Sequence, residues 1–205
     1  MTLTELIISI SLLGVIILAA TTFDTAIRQS FRHSDTQAQL LNELSPAMQQ
    51  MTKFIMQGVG TVNLNNIGLE ISTPNRGLKV RLDISNTPTN CADDRWIFYQ
   101  YQANQIIYCT NTGSGCGIPP GWGCLPPGAL EVIARKIFYN PATSPPVFDF
   151  IDSNGDGLSD NRDNLVSINL IACQDPTQAL GICGSMRNPS VNLTTKISLR
   201  GKSIR

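Results

Sequence analysis

Charge is what this 205-residue chain has least of: charged residues make up 15% of it, where about a quarter is usual for a globular chain. Lys plus Arg and Asp plus Glu both number 15, so the formal net charge is +0. A neutral chain this poor in cations is unsuited to tracking a phosphate backbone, and no nucleic-acid partner is expected. Histidine occurs once, at His33. That excludes a histidine-rich metal centre and leaves Ser-His-Asp or Cys-His chemistry a single residue to run through. GxSxG, HExxH, GxGxxG and the Walker phosphate loop are absent from the sequence. CxxC is absent too, so the six cysteines read as disulfides formed in an oxidising compartment, not as a zinc site. These absences favour an exported, non-catalytic protein.

What is present begins with an apolar run. From Leu6 to Phe23 the chain carries no charge, and a helix of that length covers roughly 27 Å, enough for a bilayer core. A secretory signal peptide would need a basic flank and a small-residue cleavage site, whereas Met1-Thr2-Leu3-Thr4-Glu5 offers no base and one acid. The pattern then turns amphipathic. Phe23, Ile27 and Phe31, then Leu41, Leu44, Met48, Met51 and Ile55, fall three, four or seven apart. Gly58 is the first glycine to follow and a stop signal. One helix over residues 2–57 is therefore expected, roughly 80 Å long, with Pro46 bending it near residues 42–45.

Beyond Gly58 the chain reads as strands separated by Gly, Pro, Asn and Asp. Candidate strands are 67–71, 78–84, 96–101, 105–109, 130–139, 147–151, 165–171 and 191–199, each rich in Val, Ile, Phe or Tyr. Thr73-Pro74-Asn75-Arg76-Gly77 is a turn, and 110–128 is a Gly/Pro-rich loop carrying Trp122. The expected fold is α+β: a helix over residues 1–57, with 1–23 as its hydrophobic segment, whose second half packs on an antiparallel sheet formed by a head over 58–205.

An apolar helix with an acid at its fifth residue, an amphipathic continuation and a β-rich, disulfide-bonded head resembles the type IV pilin and pseudopilin family. The residues that carry this are Met1-Thr2-Leu3-Thr4-Glu5-Leu6-Ile7 and the apolar segment through Phe23. Cys91, residues 96–101, Ile106-Ile107-Tyr108-Cys109 and a last strand from Thr194 to Arg200 resemble the heads of the larger minor pilins more loosely. The resemblance implies that a prepilin peptidase cut a basic leader before Met1 and methylated the new amine. It implies an inner-membrane pool that assembly machinery draws into an extracellular pilus or periplasmic pseudopilus, built from copies of this chain, related pilins, or both. One departure is that Thr21-Thr22 stands where many pilins carry proline. Glu5 is then expected to pair with a neighbour's Met1 ammonium, because an ionised acid among Leu3, Leu6 and Ile7 is costly unless paired. It also fits a capping box, Thr2-x-x-Glu5, and the two roles are compatible.

The sharpest chemical signal lies between two candidate strands. Counting from Asp152, side-chain oxygens fall at positions 1, 3, 5, 9 and 12, from Asp152, Asn154, Asp156, Asp160 and Asp163, with Gly157 at 6 and the Leu158 carbonyl at 7. That is the ligand spacing of a calcium loop, in which a hard cation gathers six to eight oxygens. Strands flank it and position 12 is Asp, so it resembles the Asp-rich loops of thrombospondin-type repeats more than an EF-hand. A structural Ca²⁺ clamp is expected, against the plainer alternative of a polar turn. Six cysteines allow fifteen pairings; the sequence-neighbour set is Cys91 with Cys109, Cys116 with Cys124 and Cys173 with Cys183.

The function these readings support is a structural filament subunit. The alternatives are a minor subunit that primes or caps a filament, a membrane-anchored calcium-binding adhesion module, and an anchored hydrolase, which should show a nucleophile beside a base.

Overall fold

The computed structural model describes residues 2–58, 69–72, 76–82, 95–112, 130–152, 155, 165–177 and 183–198. Helix α1 runs Leu3–Met56 without interruption, and Pro46 lies inside it without ending it. Its start is set by a capping box: the Glu5 amide donates to the Thr2 hydroxyl at 3.4 Å and the Thr2 amide donates to Glu5 Oε2 at 2.8 Å. Its end is set by Gly58, whose amide donates to the Ile55 carbonyl at 3.0 Å while its backbone bridges Leu82. A Cβ at residue 58 would meet the Ile55 carbonyl at 3.0 Å and Val80 Cγ1 at 3.1 Å, so this approach needs glycine.

The head is α+β with antiparallel strands, as expected, but in two sheets where one was expected. The first has five strands in sequential order, β1 Leu69–Ile71, β2 Gly77–Leu82, β3 Arg95–Gln102, β4 Gln105–Thr112 and β5 Glu131–Ala134. The second is β6 Phe148–Ile151, β7 Leu165–Cys173 and β8 Ser190–Ser198. The division falls inside the single strand expected at 130–139. Residues 131–134 pair with β4, Lys136 takes a left-handed φ of 58°, and Ile137 bridges Ala172 on β7. Ile137 also donates to the Asn104 carbonyl at 2.9 Å, so this short segment links both sheets to the β3–β4 hairpin. That hairpin closes through Ala103 and Asn104, both at positive φ, the pairing that suits the twist of two-residue turns. β4 continues three residues past the expected Cys109, to Thr112, because its ladder with β3 continues to Arg95.

One hydrophobic core joins the helix to strands of both sheets. The helix contributes Leu40, Leu44, Ala47, Met51 and Ile55, all at most 1% exposed. The expected stripe was centred one position off: Leu41 is exposed and Met48 only partly buried. Adjacent helical residues point about 100° apart, so only one of Leu40 and Leu41 can face the sheets. Phe54 stacks on Tyr108 with ring centroids 6.2 Å apart, and Tyr99 lies 5.5 Å from Tyr108 on the same sheet face. The opposite face of the first sheet is also buried: Lys79 pairs with Glu70 at 3.0 Å and lies 5.8 Å from the Phe98 ring centroid.

Candidate assembly helix and its junction with the head

Before residue 27 every described residue of the helix is exposed. Twelve large apolar side chains between Leu3 and Phe23 are exposed, from Leu6 at 46% to Leu3 at 76%. Burying such a side chain is worth about 1.5–3 kcal/mol, so leaving all of them in water would cost more than the 5–15 kcal/mol by which a domain is ordinarily stable. The segment is long and apolar enough to cross a bilayer, and unlike the core helix of a soluble protein it is buried nowhere within the chain. Ser9 and Ser11 return their hydroxyls to the Glu5 and Ile7 carbonyls at 2.8 Å, and Thr21 and Thr22 do the same to Leu18 and Ala19 at 2.9 Å. Every hydroxyl in the run is thus satisfied locally, as a water-free environment requires. Glu5 Oε2 is engaged in the capping box, which leaves Oε1 open to a second partner. Met1 lies outside the described residues.

The helix meets the head mainly over its last third. Gln37 Nε2 donates to the Ser190 carbonyl at 3.2 Å, and Lys136 Nζ lies 4.0 Å from Glu43 Oε1. Two concavities flank the helix. A groove of about 610 Å³ is lined by Met48, Met56 and Leu193 with polar neighbours. A cleft of about 560 Å³ lies lower, between Gln29, Arg32, His33, Asp35 and Thr36 of the helix and Gln174, Met186, Arg187 and Pro189 of the head. His33 is half-buried in that cleft. Sequence reading missed Arg187 and Met186 as its partners, since nothing in their local pattern marks a residue more than 150 positions away.

The head wall of the cleft is held by covalent and polar ties. Cys173 and Cys183 are joined, with Cα atoms 5.7 Å apart, as expected. Asn188, 1% exposed, accepts from the Asp175 amide at 2.8 Å and donates from Nδ2 to the Asp175 carbonyl at 2.9 Å. Its own carbonyl accepts from the Gly184 amide at 2.8 Å. Losing the side chain would orphan the amide and carbonyl of the half-buried Asp175, each worth about 1–3 kcal/mol. Asn188→Ala is therefore expected to destabilise the chain by about 3 kcal/mol, read as a fall in the midpoint of urea unfolding. An unchanged midpoint would show that the loop is held by its disulfide alone.

Of the expected calcium ligands the structure describes Asp152, whose Oδ1 accepts from the Gly155 amide at 2.7 Å, with Gly155 at φ 79°. Asn154, Asp156, Leu158, Asp160 and Asp163 lie outside the described residues. The flanking strands are as expected: β6 and β7 are antiparallel neighbours with Ile151 opposite Leu165, so the loop closes a hairpin whose two ends are fixed side by side. Among the described residues no three acids, histidines or cysteines converge on a metal position. Cys109 is disulfide-bonded; Cys91, Cys116, Cys124 and Trp122 lie outside the described residues. Among the described residues the most perturbed titration is that of Tyr99, whose hydroxyl is pushed upward by burial and then by Tyr108; it is fully buried and without a hydrogen-bond partner.

No protein-family model matches the chain, and no curated protein matches it. Among solved structures, a type IV-like pilin from Thermus thermophilus is similar over 80% of this chain and 98% of that one, with a TM-score of 0.47 and 10% sequence identity. At that identity no residue's role transfers.

Proposed function

We propose that this chain is a non-catalytic subunit of a type IV pilus-like helical filament, held in the inner membrane before assembly. The observation that carries the reading is the helix itself: one continuous 54-residue element, charge-free and exposed from Leu6 to Phe23, then buried from Leu40 to Ile55 against the head. A bilayer anchor alone ends where the bilayer ends. This one continues rigidly into the globular part, the form needed when the same apolar surface moves from lipid into a bundle of identical helices. In that bundle Glu5 Oε1 takes the Met1 ammonium of a neighbour, which fixes axial register. Processing by a prepilin peptidase, methylation of Met1 and delivery by an assembly machine belong to the same proposal. So do exposure of the head on the filament surface and a Ca²⁺ clamp in the loop between β6 and β7. The cation's chemistry is purely structural here: hard oxygens from Asp152, Asn154, Asp156, Asp160, Asp163 and the Leu158 carbonyl would hold it. The test is electron microscopy of filaments sheared from cells that make this chain, with mass spectrometry of the subunits. Filaments in which it is the dominant subunit support the reading. Filaments that contain it only at an end make it a priming or capping subunit, and its confinement to membranes without any filament returns it to an anchored adhesion module.

A further inference from the structure

We propose that the cleft between α1 and the head residues Gln174 and 186–189 is an anion site, and that its occupant is the phosphate of an anionic phospholipid while the chain resides in the membrane. Two exposed cations from separate elements line it, Arg32 of the helix and Arg187 of the head, with the half-buried His33. Among the described residues neither arginine has an ion-pair partner. One carboxylate lines the cleft with them, Asp35, which accepts from Gln39 Nε2 at 3.2 Å; Asp175 is not among the lining residues and turns its carboxylate to the amide and hydroxyl of Thr177 at 3.0 and 2.6 Å. The cleft therefore carries a net positive charge in a chain whose total is +0. Arginine's planar fork suits phosphate oxygens, and the two forks stand on opposite walls, Arg32 on the helix and Arg187 on a head segment next to the buried Asn188.

Position selects the lipid. Arg32 is nine residues beyond Phe23, where the apolar run ends, about 13 Å along the helix axis. The headgroup layer occupies roughly the first 5–8 Å outside the hydrocarbon, and an arginine side chain reaches several ångströms back towards it. The level is marked as interfacial by two exposed apolar side chains, Phe31 at 71% and Met186 at 78%, next in sequence to the two arginines. The acid nearest the membrane, Asp24, is neutralised by Arg28 at 2.8 Å and offers no repulsion.

The choice of lipid as occupant rests on the membrane-resident stage of the proposed function; the anion chemistry does not. The experiment places the full chain in nanodiscs of phosphatidylcholine with equimolar phosphatidylglycerol and counts retained lipids by native mass spectrometry. Insertion of the chain is scored first, so failure to insert strikes the membrane reading and not the cleft. Given insertion, one phosphatidylglycerol per chain should be retained about fivefold over phosphatidylcholine, the ratio set by one net basic charge near a bilayer surface. The variant R32Q/R187Q should lose that preference while R28Q, whose partner is Asp24, should keep it. Equal retention of the two lipids, or a preference that survives R32Q/R187Q, overturns the site. Inorganic phosphate that binds the inserted chain in pure phosphatidylcholine discs, without selective retention of phosphatidylglycerol, overturns the lipid assignment.

Discussion

Glu5→Ala and Glu5→Gln should both leave the head folded and both abolish most filament formation. In the assembled core the carboxylate would be surrounded by apolar helices, and breaking a buried ion pair by removing one partner costs about 3–5 kcal/mol. At 1.4 kcal/mol per tenfold, that is roughly a hundredfold to several-thousandfold loss in affinity for each subunit added. The pair of variants separates two roles that coexist in the structure. Glutamine keeps an acceptor for the Thr2 amide, now bonded to Oε2 at 2.8 Å, and so preserves the helix cap. It cannot neutralise an ammonium ion. If Glu5→Gln assembles normally and Glu5→Ala does not, capping is what assembly requires. If both assemble normally, the acid has no part in register, and the central mechanism proposed here fails. Filament counts by electron microscopy, set beside the thermal melt of each variant, decide among these outcomes.

Calcium should raise the melting temperature of the chain by about 5–10 °C over a chelator, and magnesium should do little. A ligand that binds only the folded state stabilises it by about 2.7 kcal/mol when present at a hundredfold over its dissociation constant, and for a chain of this size each kcal/mol moves the midpoint by about 2–4 °C. The hairpin supplies the reason for a clamp. Ile151 and Leu165 are register partners, so everything between them must close on itself. Residues 152–164 hold four aspartates among them, whose mutual repulsion opposes that closure unless a cation gathers them. Magnesium, which demands a tighter octahedron and gives up water reluctantly, fits the longer loop poorly. Asp156→Ala should erase the difference between calcium and chelator. Three coincident melting curves with calcium, magnesium and neither would reduce the loop to a polar turn.

How far the sequence reached can be judged residue by residue. The β3–β4 hairpin was legible because Trp96 to Tyr101 and Gln105 to Cys109 are aromatic and β-branched and the gap between them holds a residue that tolerates positive φ, Asn104. The switch between sheets was not legible. Leu130 to Tyr139 is apolar at both ends, and the left-handed φ at Lys136 is imposed by the packing of Ile137 against β7 and the hairpin, with no local marker. The helix stripe was nearly legible: Leu44, Met51 and Ile55 are in it, while the buried Leu40 and Ala47 stand where the spacing pointed to Leu41 and Met48. The capping box was readable from Thr2 and Glu5 because its partners are three residues apart. The cleft was not, because Arg32 and Arg187 are 155 positions apart in sequence and come to line one cleft only in the folded chain.

The buried row on α1 also decides how the chain carries force. Leu40, Leu44, Ala47, Met51 and Ile55 lie along about 23 Å of one helix face, parallel to the direction in which a pull on the N-terminus would act. Tension applied that way loads the seam in shear. All five contacts must slide together, so resistance is set by the whole row; a sideways pull at Gln37 would open the Gln37–Ser190 bond first and then the others one at a time. A chain built like this is strong along its helix and weak across it.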